Sequence, residues 1–282
     1  MVLKGKGNAR TLATLVAYVI LIALLVFALA PVALMIGTAF KPNVEIFQVP
    51  PRWLPRAPTL SNFQKVVFNS GIPRYALNSV IIGTLTTFAA LVLGTLAGYG
   101  FSRFKFPGNR ALSLFMLLGQ LLPLIALIVP FFQIFDAVGL LDTKIGIALA
   151  HLTTALPLVT WMSASYFSTI PVELDEAAII DGCTRMQALR KVVLPVSLPG
   201  IISIALFAFL MSWNEFVLAS VLTNTDNSKT LPIGLSEFAT MFTVDWGSTM
   251  AAAFLMTVPV VAVFLAFQKQ FVRGLSAGAV KG

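Results

Sequence analysis

Residues 171–200 read PVELDEAAIIDGCTRMQALRKVVLPVSLPG, the longest charge-rich run in a chain that is otherwise mostly hydrocarbon. Glu173, Asp175, Glu176, Asp181, Arg185, Arg190 and Lys191 fall inside it, Pro171 opens it, and Pro195 and Pro199 close it. Leu174, Ala177, Ile180, Thr184 and Ala188 recur at three- and four-residue steps, which gives a helix one weakly apolar face. Gly182 stands in the middle, where a helix interior loses stability and the backbone is free to turn. The reading is two short helices set at an angle, lying at the water surface between two membrane spans. The small side chains of Ala177 and Ala178 would let another protein's backbone come close.

On either side of this run the charges vanish. Of 282 residues, 58% are hydrophobic and 11% charged, and the mean hydropathy is +0.91; a soluble domain is nearer a quarter charged. A helical span needs about 20 apolar residues. Windows of that size predict six helices with cores at 14–37, 76–99, 112–134, 146–167, 201–222 and 250–270. Continuous rather than alternating apolar runs favour helices over a barrel. The fold class is therefore all-α, a polytopic membrane protein with six transmembrane helices. The first apolar run is longer than a signal-peptide core of about 7–15 residues, so it reads as a retained span. Residues 1–74 are the first span and an outer loop, and 75–282 form the helical core around the 171–200 loop.

Basic residues orient the spans. With the N-terminus inside, twelve of the 19 Lys and Arg lie on inner segments, including the short loop FSRFKFPGNR at 101–110, where the positive-inside rule is strongest. Both termini and the 171–200 loop then face the cytoplasm. The formal charge of +8 fits basic inner loops at a lipid surface, not a nucleic-acid binder. The proline-rich outer loop at 41–75 cannot form one long helix, and its Phe47, Trp53 and Phe63 suit a membrane interface. The outer loop at 223–249 is long and polar, suited to a partner or to a plain connector.

Within the spans, Gly94 and Gly98 have the spacing of a close helix–helix contact. Pro123, Pro130 and Pro157 suit walls that flex. His151, the sole histidine, reads as a buried, hydrogen-bonded side chain rather than a proton relay. Glu215 lies about 22 Å along span 5 from Gly200, where a carboxylate must face protein or water. Trp213, Asn214 and Glu215 are candidates to line a hydrated pathway: amide and carboxylate groups match hydroxyl groups, and an indole offers a flat face to a ring. Asn78, at the start of span 2, joins them. The alternative is that Asn214 and Glu215 only tie span 5 to a neighbour. Neither a phosphate-binding GxxxxGK[ST] loop nor a catalytic triad nor a metal-ligand cluster occurs. No catalytic or metal-binding residue is assigned, and the single Cys183 excludes an intrachain disulfide.

Glu176-Ala177-Ala178, Asp181-Gly182 and Leu194-Pro195 together resemble the EAA loop of the membrane subunits of ATP-binding-cassette importers, with Cys183 and Leu189 where Ala and Phe are commoner. Asn78-Ser79, Gly139-Leu140-Leu141-Asp142-Thr143, Ile170-Pro171, Trp213-Asn214-Glu215-Phe216, Thr230-Leu231-Pro232 and the terminal GLSAGAVKG at 274–282 extend the resemblance to the carbohydrate-uptake permeases, relatives of the second membrane subunit of the maltose transporter. It covers roughly 75–282. It implies the type I importer permease fold, in a bacterial or archaeal cytoplasmic membrane. The partners would be a second, different permease, two ATP-binding subunits that hold ATP and Mg, and an extracytoplasmic sugar-binding protein. Glu176, Ala177, Ala178, Asp181, Gly182 and Pro195 would couple to the ATPase by alternating access. The loop at 223–249 would reach the binding protein. Arg273 and Lys281 of the tail would contact the ATPase pair, or else anchor at lipid headgroups.

An ion-coupled secondary transporter would carry several ionisable groups near the bilayer midplane, where this chain has only Glu215. A membrane-embedded enzyme would carry a polar cluster in its spans, and none is seen. The particular cargo, a sugar or a related solute such as a glycerol phosphate, is not legible.

Overall fold

The computed structural model describes the backbone of residues 5–239 and 244–279, and side chains within 11–239 and 244–268 except residues 12 and 240–243. The chain divides into two compact units, 1–70 with 238–255, and 71–237 with 256–282.

The first unit is built on α1 (Gly5–Ala39), exposed over nearly all of residues 13–36. Beyond Lys6 and Arg10 in its first turns it carries no charge through Ala39, and an apolar helix with no inward face suits hydrocarbon or another membrane protein. The prolines after it allow only the short α2 (Asn43–Ile46) and α3 (Ser61–Phe68). Asn62 Nδ2 holds the turn after α1 by donating to Ala39 O at 2.9 Å and Lys41 O at 2.8 Å. Phe47 and Trp53 are exposed; Phe63 instead packs between Phe40 and Phe254.

The second unit is a helical bundle around α4 (Ile72–Arg103) and α7 (Lys144–Phe167). Between them come α5 (Asn109–Gly119) and α6 (Ile128–Ala137). After α7 follow α8 (Glu173–Ile180), α9 (Arg185–Ala188), α10 (Leu194–Asn214), α11 (Val217–Leu222) and α12 (Leu231–Ser236). The last helix, α13 (Trp246–Ala279), contributes its first turns to the first unit and the rest to the second.

The contact expected at Gly94 and Gly98 is where α4 meets α7. A Cβ on Gly94 would lie 2.7 Å from Val159 Cγ1, and one on Gly98 would lie 2.6 Å from Ser163 Cβ and 2.8 Å from Ala164 N. Only glycine allows backbones this close. Around the crossing pack Ala90, Ala155, Val159, Ile204 and Ala208.

Among the described residues five helices are long and apolar enough to span, six when the pair Asn109–Gly119 and Leu124–Ala137, bent by 88° at the third expected span, is counted as one. Pro123 has no N–H for a helix to use, and Gly119 costs the helix stability just before it. The fifth expected span breaks after Asn214, so Glu215 lies between α10 and α11 rather than inside one helix. Pro195 and Pro199, which close the charge-rich run, lie inside a helix that continues from Arg185 to Asn214. Residues Leu189–Val193 form a π-turn in which Leu194 N donates five residues back, to Leu189 O. That wider turn lies directly before Pro195, which has no N–H to give the helix.

Candidate functional site

The 171–200 loop follows from its turn chemistry. At the end of α8, Gly182 N donates to Ile179 O and Cys183 N to Ala178 O, at 3.0 and 2.9 Å. This is the paired hydrogen bonding of a left-handed C-terminal cap, and Gly182 sits at φ +86°. Thr184 and Gln187 then cap α9 reciprocally, Thr184 N to Gln187 Oε1 at 2.8 Å and Gln187 N to Thr184 Oγ1 at 3.3 Å. Glu176, Ala177, Asp181, Gly182 and Pro195 are exposed, whereas Ala178 is buried within this chain. The expected apolar face is rotated: Asp175 and Ala178 point inward, and Ile180 is 85% exposed. The reason is a carboxylate partner. Arg103, at the end of α4, binds Asp175 in a pair whose side chains are 3% and 2% exposed.

At the other end of α7, two interrupted spans meet a single helical turn. Gln120, in the break between α5 and α6, donates through Nε2 to Thr154 O at 3.0 Å. Glu215, in the break between α10 and α11, lies 3.0 Å from His151 Nε2. It also accepts from Leu218 N at 2.8 Å and Ala219 N at 3.0 Å, which occupies the otherwise free first amides of α11. His151 is buried, with Nδ1 2.7 Å from Ser212 Oγ, so it is the hydrogen-bonded residue the sequence suggested. Of the pathway candidates, Asn214 is exposed and its amide donates to Leu210 O at 2.8 Å. Trp213 is 1% exposed and stacks on Phe209 at 5.6 Å, so its ring is not open to a sugar from this subunit. Asn78 is also buried; its amide donates to Asn227 O and Lys229 O at 3.1 and 2.9 Å. Asn78 thereby staples the 223–230 segment.

The same segment is latched by Asp142, a residue the sequence reading quoted without a role. At φ 56°, it accepts from Asn224 N at 3.1 Å, Thr225 N at 3.0 Å, Thr225 Oγ1 at 2.6 Å and Ser228 Oγ. Burial alone would raise its pKa, but the hydrogen bonds from Ser228, Thr225 and Asn224 outweigh that and hold it down at about 2. Gly139-Leu140-Leu141-Asp142-Thr143 was its sequence signal. Gln120 and Arg103 had none that singled them out. Of the tail, Lys281 lies outside the described residues, and Arg273 is described only by its backbone in α13. Among the described residues no three His, Cys, Asp or Glu side chains cluster as a metal site would require.

Residues 90–277 match the family described as the binding-protein-dependent transport system inner membrane component. The chain belongs to that family. Members similar to it include the trehalose transport system permease protein SugB of Mycobacterium tuberculosis, 36% identical over 91% of this chain and 93% of that protein. The trehalose/maltose transport system permease protein MalG of Thermococcus litoralis is 37% identical over 79% and 82%. The transporter component in the crystal structure of a bacterial ABC transporter that imports the acidic polysaccharide alginate superposes with a TM-score of 0.79 at 21% identity, covering 93% and 98%. As a family member the chain is an all-helical, multi-pass membrane permease subunit with the ABC importer permease fold, as the resemblance implied.

Proposed function

We propose that this chain is one of two different membrane subunits of an ATP-driven sugar importer. The observation that carries sugar as the cargo is the identity, over most of the chain, with permease proteins named for trehalose and for trehalose/maltose. ATP and Mg sit on two partner subunits, which supply the energy. The exposed Glu176, Ala177, Asp181, Gly182 and Pro195 dock there; Ala178 serves from inside by letting α8 lie close to its neighbours. Both termini and this loop face the cytoplasm, a reading supported by the excess of Lys and Arg on those segments. The opposite face, with the 223–249 loop, receives an extracytoplasmic sugar-binding protein. Arg273 and Lys281 lie beside the ATP-binding subunits.

The pathway reading is supported by the two span breaks. Non-helical backbone at membrane depth is tolerated only where it is covered by protein or lines water. Residues 120–123 and Asn214 are exposed, and both breaks are tied to His151–Thr154. The wall they form belongs to a hydrated pathway completed by the second permease, with Gln120 and Asn214 as its hydroxyl-binding groups. Deleting the gene and feeding cells radiolabelled trehalose, maltose or diacetylchitobiose tests the function. Uptake of at least one should disappear and return with a plasmid copy. Unchanged uptake of all three would refute the sugar assignment.

A further inference from the structure

The first turn of α8 is fastened to the bundle by the Arg103 guanidinium. Arg103 Nε donates to Asp175 Oδ2 at 2.9 Å, Nη1 to Phe167 O at 3.0 Å and Nη2 to Ile170 O at 3.1 Å. Tyr99, one turn earlier on α4, donates its hydroxyl to Asp175 Oδ1 at 2.5 Å. Both carboxylate oxygens are therefore used, and three elements meet: the end of α4, the end of α7 and the first turn of α8. Tyr99 and Phe167 pack edge to face at 6.0 Å, within a cluster that includes Ile170, Leu189 and Val193. Arg185, the first residue of α9, adds a second tie by lying 5.3 Å over the ring of Phe104.

A buried ion pair is a poor source of net stability, because desolvation cancels most of the attraction, and apolar residues of equal volume often serve as well. What it supplies is direction. A planar guanidinium with three acceptors in fixed places sets an angle that apolar packing leaves free. Little else holds α8: it buries only Asp175 and Ala178, and Ala178 ends at its Cβ. The angle of α8 is thus set mainly by Arg103.

We propose that Arg103, Asp175 and Tyr99 are positioning residues of the transport cycle. They lock α8 to the ends of α4 and α7, so that the exposed coupling loop and the spans move as one body and ATP-driven motion reaches the pathway without slack. This rests on the function proposed above. Loss of the joint uncouples hydrolysis from uptake while leaving fold and assembly in place.

The decisive variant is the double substitution Arg103→Met with Asp175→Leu, which keeps the apolar volume and removes every directional bond. The complex, purified through this chain, would be placed in liposomes with its binding protein. ATP hydrolysis and uptake would be measured with whichever of radiolabelled trehalose, maltose or diacetylchitobiose the wild type carries. We expect normal amounts of complex, continued hydrolysis, and uptake per ATP reduced about tenfold, the size of an ordinary coupling between sites. Tyr99→Phe should show the same change to a smaller degree. A normal uptake-to-hydrolysis ratio in the assembled double variant would overturn the inference, since a merely structural pair predicts that result. If the double variant does not accumulate, Asp175→Asn is judged by the same ratio. A wild-type chain with no ATP-binding subunit, or with no uptake of any of the three sugars, would remove the proposed function and this inference with it.

Discussion

Two carboxylates illustrate how single residues divide the labour. Asp142 gathers four donors from 224–228 and gains from staying ionised. Its pKa is lowered from 3.8 to about 2. A depressed carboxylate contributes stability that is complete above its unfolded value and is lost as pH falls through its folded one. Asp142→Asn should therefore destabilise the purified protein by about 1–2 kcal/mol at neutral pH, partial exposure limiting the effect. The difference from wild type should fade between pH 4 and 2, as thermal melting across pH will test; a difference that persists at pH 2 would contradict the latch. Glu215 holds the break between α10 and α11 from within, through His151 and two amides. Its removal should act on the fold. Glu215→Gln is expected to cost about 1–3 kcal/mol and to leave the range of sugars unchanged. A melting point like the wild type's, with an altered sugar profile, would return Glu215 to the pathway.

At the scale of elements, the helix crossings and turns set what can change. Gly98 lies where a side chain would strike Ser163 and Ala164, whereas Gly100 has no neighbour within 4 Å of a Cβ position. Gly98→Leu should force α4 and α7 apart and lower the yield of folded protein, with Gly100→Ala as a neutral control; equal yields would refute the close crossing. At Gly182 a Cβ meets nothing within 4 Å, so the penalty is purely one of backbone conformation, about 1–2 kcal/mol for a side chain at left-handed φ and least for Asn. Gly182→Val should insert normally but abolish uptake, and Gly182→Asn should retain most of it. Equal uptake by both would show that the turn does not matter. Four spans, the Gly94–Gly98 contact and the Gly182 turn were legible in the sequence, because each follows from local composition or spacing. The break at 120–123 was not, since prolines also occur inside intact helices here, as Pro157 does in α7. The inward face of α8 was hidden for another reason: Asp175 is buried by Arg103, a partner 72 residues away, and no local period encodes that. The π-turn at Leu189–Val193, which carries the helix on past Pro195, had no signal in the sequence either.

For the whole molecule, the account joins a loop that docks, spans that move and a wall that waits for a second subunit. The exposed length of α1, the open breaks and the solvent-facing Ile180 are surfaces that a lone chain in water would not keep. Lipid, a sister permease and an ATP-binding subunit cover them in the proposed assembly. The most direct measurement is to purify this chain, tagged, from its native membrane in mild detergent and weigh the intact complex by native mass spectrometry, identifying each component. The account predicts one copy of this chain with one different permease and a pair of ATP-binding subunits. Recovery of the chain alone, or only with copies of itself, would contradict it.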